Sequence, residues 1–115
     1  MKKLIFIALL LLLNACGDTQ EVLMIKGGTL ASCPSKTVEQ MVDGYMDLPT
    51  WEDLIAEDGK KYVNISGGIM YADKPVEALL QFKINQDETF EYNALEFNGV
   101  AQNTFIAMGL LSSMC

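Results

Sequence analysis

The sequence predicts an α+β domain, an antiparallel three- to four-stranded sheet with two helices packed on one face. Three observations carry this. The segments Tyr62–Ser66, Val76–Ile84 and Phe90–Phe97 alternate apolar and polar residues and are separated by short polar turns. The stretch after Thr37 repeats apolar residues at helical spacing, and residues 102–114 read as a largely apolar terminal helix. Strands joined by short turns are antiparallel neighbours, and two amphipathic helices suffice to cover one face of the meander they form.

The chain opens on Met1-Lys2-Lys3 and continues as an unbroken apolar run from Leu4 to Leu13. A bilayer span needs roughly 20 apolar residues, so a run of 10 suits the apolar core of a signal peptide instead. It ends in Leu13-Asn14-Ala15-Cys16, with an aliphatic residue three before the cysteine and a small one directly before it. This resembles the lipobox of bacterial lipoprotein precursors. The resemblance implies cleavage before Cys16, a diacylglyceryl group on its thiol and an acylated amino terminus, palmitate being a typical chain. Stable anchoring takes two or more acyl chains, so this would be a lasting attachment. Gly17, not an acidic residue, follows the cysteine, and by the same resemblance this favours the outer membrane, facing the periplasm, over the inner membrane.

On that reading the organisation is a signal peptide over 1–15, a short tether over 16–21 and a single domain over 22–115. Removal of the first 15 of 115 residues leaves 100, enough for one core of modest stability. The resemblance also resolves the cysteine count of three. With Cys16 lipidated, Cys33 and Cys115 remain as a pair, and an oxidising compartment makes them a disulfide. The loop it closes spans 82 residues, for which chain entropy predicts about 4.5 kcal/mol of stabilisation.

Along the domain, Val22-Leu23-Met24-Ile25 reads as a short strand stopped by Gly27-Gly28. Thr37 and Gln40 have capping-box spacing, and Val38, Met41, Val42, Tyr45 and Met46 share one helical face up to Pro49. Trp51 begins a candidate edge strand, its ring a lid over the sheet or an exposed binding anchor. Asp58-Gly59 is a turn signal. Gly67-Gly68 predicts a bulge or bend after Ser66, and Asp73-Lys74-Pro75 the next turn. Leu80, Phe82 and Ile84 share one strand face, Gln81 and Lys83 the other. After the Asn85–Glu88 loop the alternation slips phase between Tyr92 and Leu95, which a bulge near Ala94 reconciles. In the terminal helix, covered on most sides, Gly109 predicts a close approach to a neighbour.

The composition narrows the chemistry. The formal charge is −7, and loss of Lys2 and Lys3 with the signal makes it −9. The basic residues are all lysines, too few and too scattered for a phosphate-binding face, so no nucleic acid is expected. There is no histidine, which removes the usual general base and zinc ligand. No CxxC motif or phosphate loop is present. Asp43, Asp47, Glu52, Asp53, Glu57 and Asp58 form an acidic stretch. It reads as a solvated face rather than an acid–base pair or calcium site, since the EF-hand spacing is missing. The methionines sit singly in apolar patterns and read as core, not as copper ligands. No cofactor, metal, small-molecule substrate or catalytic residue is therefore assigned.

Gly28-Thr29-Leu30, Cys33-Pro34, Val38 to Tyr45, Trp51, Phe97-Asn98-Gly99 and Gln102 to Cys115 resemble a family of small, uncharacterised exported bacterial domains. That resemblance brings no catalytic residues. The layout also resembles small outer-membrane assembly lipoproteins, although their two helices both precede the strands. The expected function is that of a lipid-anchored, non-enzymatic interaction module whose partner is another envelope protein. Tyr62, Asn64, Ser66, Gln81 and Lys83 are its candidate contact face. The alternatives are a lipoprotein that excludes phage or plasmids by masking a surface receptor, and a carboxylate-based hydrolase.

Overall fold

A computed structural model describes residues 17–115, and Cys16 with the segment ahead of it lies outside the described residues. The elements run α1 (Gln20–Gly27), α2 (Val38–Asp43), β1 (Asp47–Ile55), β2 (Lys61–Tyr71), β3 (Lys74–Ile84), β4 (Phe90–Phe97), β5 (Val100–Ala101) and α3 (Thr104–Met114). The strands form one antiparallel sheet in sequence order, β1-β2-β3-β4-β5. The predicted α+β class holds, with a third helix and a two-residue fifth strand added.

The third helix corrects the short strand expected at Val22–Ile25. Four successive apolar residues carry no period of their own, so the local signals decide. Thr19 caps the helix, its hydroxyl accepting from the Val22 N–H at 3.3 Å, with Glu21 in the first turn and Lys26 in the last. Val22 and Ile25, three apart, point into the core, while Leu23 is exposed. The helix also takes in Gln20 and Glu21, the end of the expected tether.

Thr37 and Gln40 close the expected capping box, each side chain bonding the other residue's backbone N–H. The helix stops at Asp43, earlier than Pro49, because Gly44 caps it. Tyr45 and Met46 still turn toward the core, and Pro49 lies within β1.

β1 is the expected edge strand through Trp51. The irregularity expected at Gly67-Gly68 falls on its partner. β2 pairs with β3 without interruption, while β1 carries an extra residue between Asp47 and Thr50. A Cβ on Gly67 would lie 3.0 Å from the Met46 Cβ and 3.1 Å from the Asp47 carbonyl oxygen, so glycine lets β1 cross close over β2.

The β2–β3 turn is centred on Ala72-Asp73, both at positive φ, rather than on Asp73-Lys74-Pro75. It has the mirror-image form that matches strand twist. Pro75 is accommodated because β3 has no β4 neighbour beyond Ala78, so its missing N–H breaks no ladder bond there. The bulge expected near Ala94 is present: Gln81 faces Ala94 and Phe82 faces Tyr92, leaving Asn93 as the extra residue.

All three helices pack on one face of the sheet. Ile25, Met41, Val42, Ala107, Leu110 and Leu111 join Val63, Ile65, Ala78, Leu80, Phe82 and Leu95 in one buried cluster. Phe82 is its largest fully buried side chain, edge-on to Phe90 at 5.6 Å. Burying such a side chain contributes about 1.5–3 kcal/mol. Cys33 and Cys115 form the expected disulfide, tying the approach to α2 to the end of α3.

Two expectations for the terminal helix are corrected. Its inner residues Ala107, Leu110, Leu111 and Met114 are buried, but Phe105 is 88 % exposed and Met108 43 %. A Cβ on Gly109 would meet nothing within 4 Å, so no close approach requires glycine there. The apolar character of α3 exceeds what its inner face needs.

Candidate partner-docking face

Because the helices occupy one side of the sheet, the other side is uncovered among the described residues. Side chains of directly opposed residues share a face. The register therefore places Leu54, Tyr62, Lys83 and Glu91 in one row across β1 to β4. Glu52, Asn64 and Gln81 form the next row, and Thr50, Ser66, Leu79 and Glu96 the third. All five residues singled out from the sequence, Tyr62, Asn64, Ser66, Gln81 and Lys83, lie together on this face, each half-buried by its neighbours.

The middle row is bonded. Gln81 donates from Nε2 to Asn64 Oδ1 at 3.0 Å and accepts at Oε1 from Asn93 Nδ2 at 2.6 Å. Asn93 lies two residues after Glu91, which faces Lys83, so strand alternation holds it on the open face beside Gln81. The row is thus a directed chain of three amides across three strands. Gln81 uses both ends of its amide. Asn64 keeps its NH2 group and Asn93 its carbonyl oxygen for a further partner. Such a surface recognises hydrogen-bonding geometry, and its charged residues are mainly acidic: Glu52, Glu77, Glu91 and Glu96 against Lys83.

Leu79, Asn93 and Glu96 also lie on this face beyond the five expected residues, as does Glu52, which the sequence assigns only to the acidic stretch. Continuing the alternation would have found Glu52 and Leu79. Alternation from Glu91 reaches Asn93 as well, whereas Glu96 requires the position of the bulge, because one added residue reverses which side each later residue faces.

Trp51 lies on the other side of the sheet, half-buried against the core, with Lys26 Nζ 5.1 Å from its ring centroid. Lys26 also pairs with Asp18 at 2.7 Å and Glu39 at 3.6 Å. Hydrogen bonding to Asp18 raises its pKa above the usual lysine value. Trp51 is thus the lid, and its lysine gathers the segment before α1, α2 and β1. The acidic stretch does not converge: Asp43 ends α2, Glu52 and Asp53 face opposite sides of β1, and Asp58 bonds the Lys60 N–H in the β1–β2 turn. Among the described residues no three aspartate, glutamate or cysteine side chains group as metal ligands do.

At the end of the sheet where α1 begins, the β1–β2 and β3–β4 turns border a shallow hollow of about 750 Å³. Lys60, Lys61, Lys83, Glu21, Asp58 and Glu88 line it. Its charges offset one another: Lys61 pairs with Glu21 at 3.2 Å and Lys60 with Asp58 at 3.8 Å. Among the described residues no helix is long and apolar enough to cross a membrane. No protein-family profile, no curated protein and no solved structure matches this chain.

Proposed function

We propose that the chain is a lipid-anchored envelope lipoprotein, held by lipid on Cys16 at the periplasmic side of the outer membrane, whose domain docks another envelope protein through its open sheet face. The observation that carries the docking is the asymmetry of the sheet. Every helix among the described residues lies on one side, while the other presents an aligned amide chain with a donor and an acceptor group at its ends. The partner matching that face is a polar protein surface supplying amide or hydroxyl groups and a few lysines or arginines opposite Glu52, Glu91 and Glu96. The lipid reading rests on the basic start, the apolar run and Leu13-Asn14-Ala15-Cys16.

Two measurements test it. Full-length protein is crosslinked in intact envelopes and recovered, alongside Gln81→Arg, which inserts a longer charged side chain into the amide chain. A protein captured by the wild type and lost from the variant, at unchanged thermal stability, is the expected result. Equal capture by both removes the face from the proposal. Cys16→Ser is expected to move the protein from the membrane to the soluble fraction. Unchanged fractionation overturns the anchor.

A further inference from the structure

The outer face of α3 is apolar beyond any need of the fold. Phe105 is 88 % exposed and Met108 43 %, and neither packs on the core. One turn beyond Phe105, Gly109 leaves the surface open. Beside it lies a hollow of about 290 Å³, walled by Tyr45, Met70, Tyr71 and Ile106. No charged residue lies in α3 or in the wall of this hollow.

We infer that this face pairs with the same face of a second copy of the chain. Two features select that occupant. The first is shape. The face carries both a projecting ring and a recess, about 6 Å apart along the helix. An isologous contact requires that one patch be complementary to itself. Two α3 helices laid antiparallel about a two-fold axis bring each Phe105 over the Gly109 recess of the other. The second is charge. The chain carries −7 overall, so two copies repel wherever their acidic surfaces meet. This face lets them approach with no like-charged pair inside the contact.

The contact is independent of the docking reading. α3 lies on the helical side of the sheet, so pairing leaves both open faces free and makes the assembly bivalent.

The test uses the full chain in its membrane, with a photo-crosslinking phenylalanine analogue at position 105. Irradiation is expected to yield a covalent species of twice the chain mass, whose crosslinked peptide covers Gly109 to Ser113 or Met70 to Ala72 of the other copy. Adduct to lipid alone, to a different protein alone, or no adduct overturns the inference. Gly109→Lys, on an open surface position, is expected to retain its melting temperature within a few degrees and to lower the dimer yield at least tenfold. Glu57→Gln, exposed in the β1–β2 turn, is expected to leave that yield unchanged. A dimer that persists in Gly109→Lys overturns the proposed contact.

Discussion

Cys33 and Cys115 are bonded with their Cα atoms 5.7 Å apart across 82 residues of sequence. Cys33 is fully buried, while Cys115 follows the last turn of α3. The bond fixes the end of the final helix to the approach to α2. Opening it returns a large loop to the unfolded ensemble, where chain entropy is worth about 4.5 kcal/mol. The double variant Cys33→Ala with Cys115→Ser is expected to lose 2–5 kcal/mol by denaturant titration, an estimate of the same origin. Stability unchanged within about 1 kcal/mol would show that the unfolded chain is already compact.

Gly28 and Gly109 predict opposite signs for the same substitution. A Cβ on Gly28 would lie 2.5 Å from the edge of the Phe90 ring. Phe90 packs against Phe82, so Gly28→Ala is expected to cost about 1–3 kcal/mol as the ring is pushed off its site. Gly109→Ala meets nothing, and is expected to add about 1 kcal/mol through helix propensity alone. Thermal melts of the two variants side by side decide both.

The capping box at α2 should be measurable because the helix is so short. Thr37 accepts from the Gln40 N–H at 3.1 Å, and Gln40 Oε1 accepts from the Thr37 N–H at 2.9 Å. Thr37→Ala is expected to destabilise the domain by about 1 kcal/mol, whereas Thr37→Ser should recover most of that loss. Equal losses in both variants would assign the effect to packing of the threonine methyl group.

The first turn of α1 should respond to acid. Glu21 joins it to the start of β2 through Lys61 at 3.2 Å. Hydrogen bonding from the backbone, and then from the Lys61 ammonium, holds the Glu21 carboxyl below its ordinary pKa of 4.5. A carboxyl lowered on folding contributes its stability above the unfolded value and loses it as pH falls through the folded one. Stability should therefore decline below about pH 4.5, by no more than about 1 kcal/mol for so exposed a pair. Glu21→Gln is expected to flatten that part of the profile, read by denaturant midpoints at stepped pH.

Much of this architecture was legible in the chain. Period-two alternation marks β2, β3 and β4, and its slip between Tyr92 and Leu95 reports the bulge that Asn93 occupies. Thr37 and Gln40 announce α2 by capping chemistry, and Cys33 and Cys115 pair once Cys16 is set aside. These features are local patterns or simple counts, which sequence states directly. Other features depend on what lies across from a residue. Val22 to Ile25 is apolar throughout, and only the Thr19 cap with the burial of Val22 and Ile25 makes it a helix rather than a strand. Gly67 is a crossing point because Met46 and Asp47 pass over it. Gly109 looked like a packing glycine and is open surface, because the helix turns its other side inward. The amide chain of Asn64, Gln81 and Asn93 exists only once three strands are in register, and Phe105 declares itself only when the tertiary fold leaves it outside. Sequence determines which surfaces want burial and where the chain turns. The tertiary structure decides which of those surfaces find a partner within the chain, because that depends on register and helix rotation set by contacts between residues far apart in sequence.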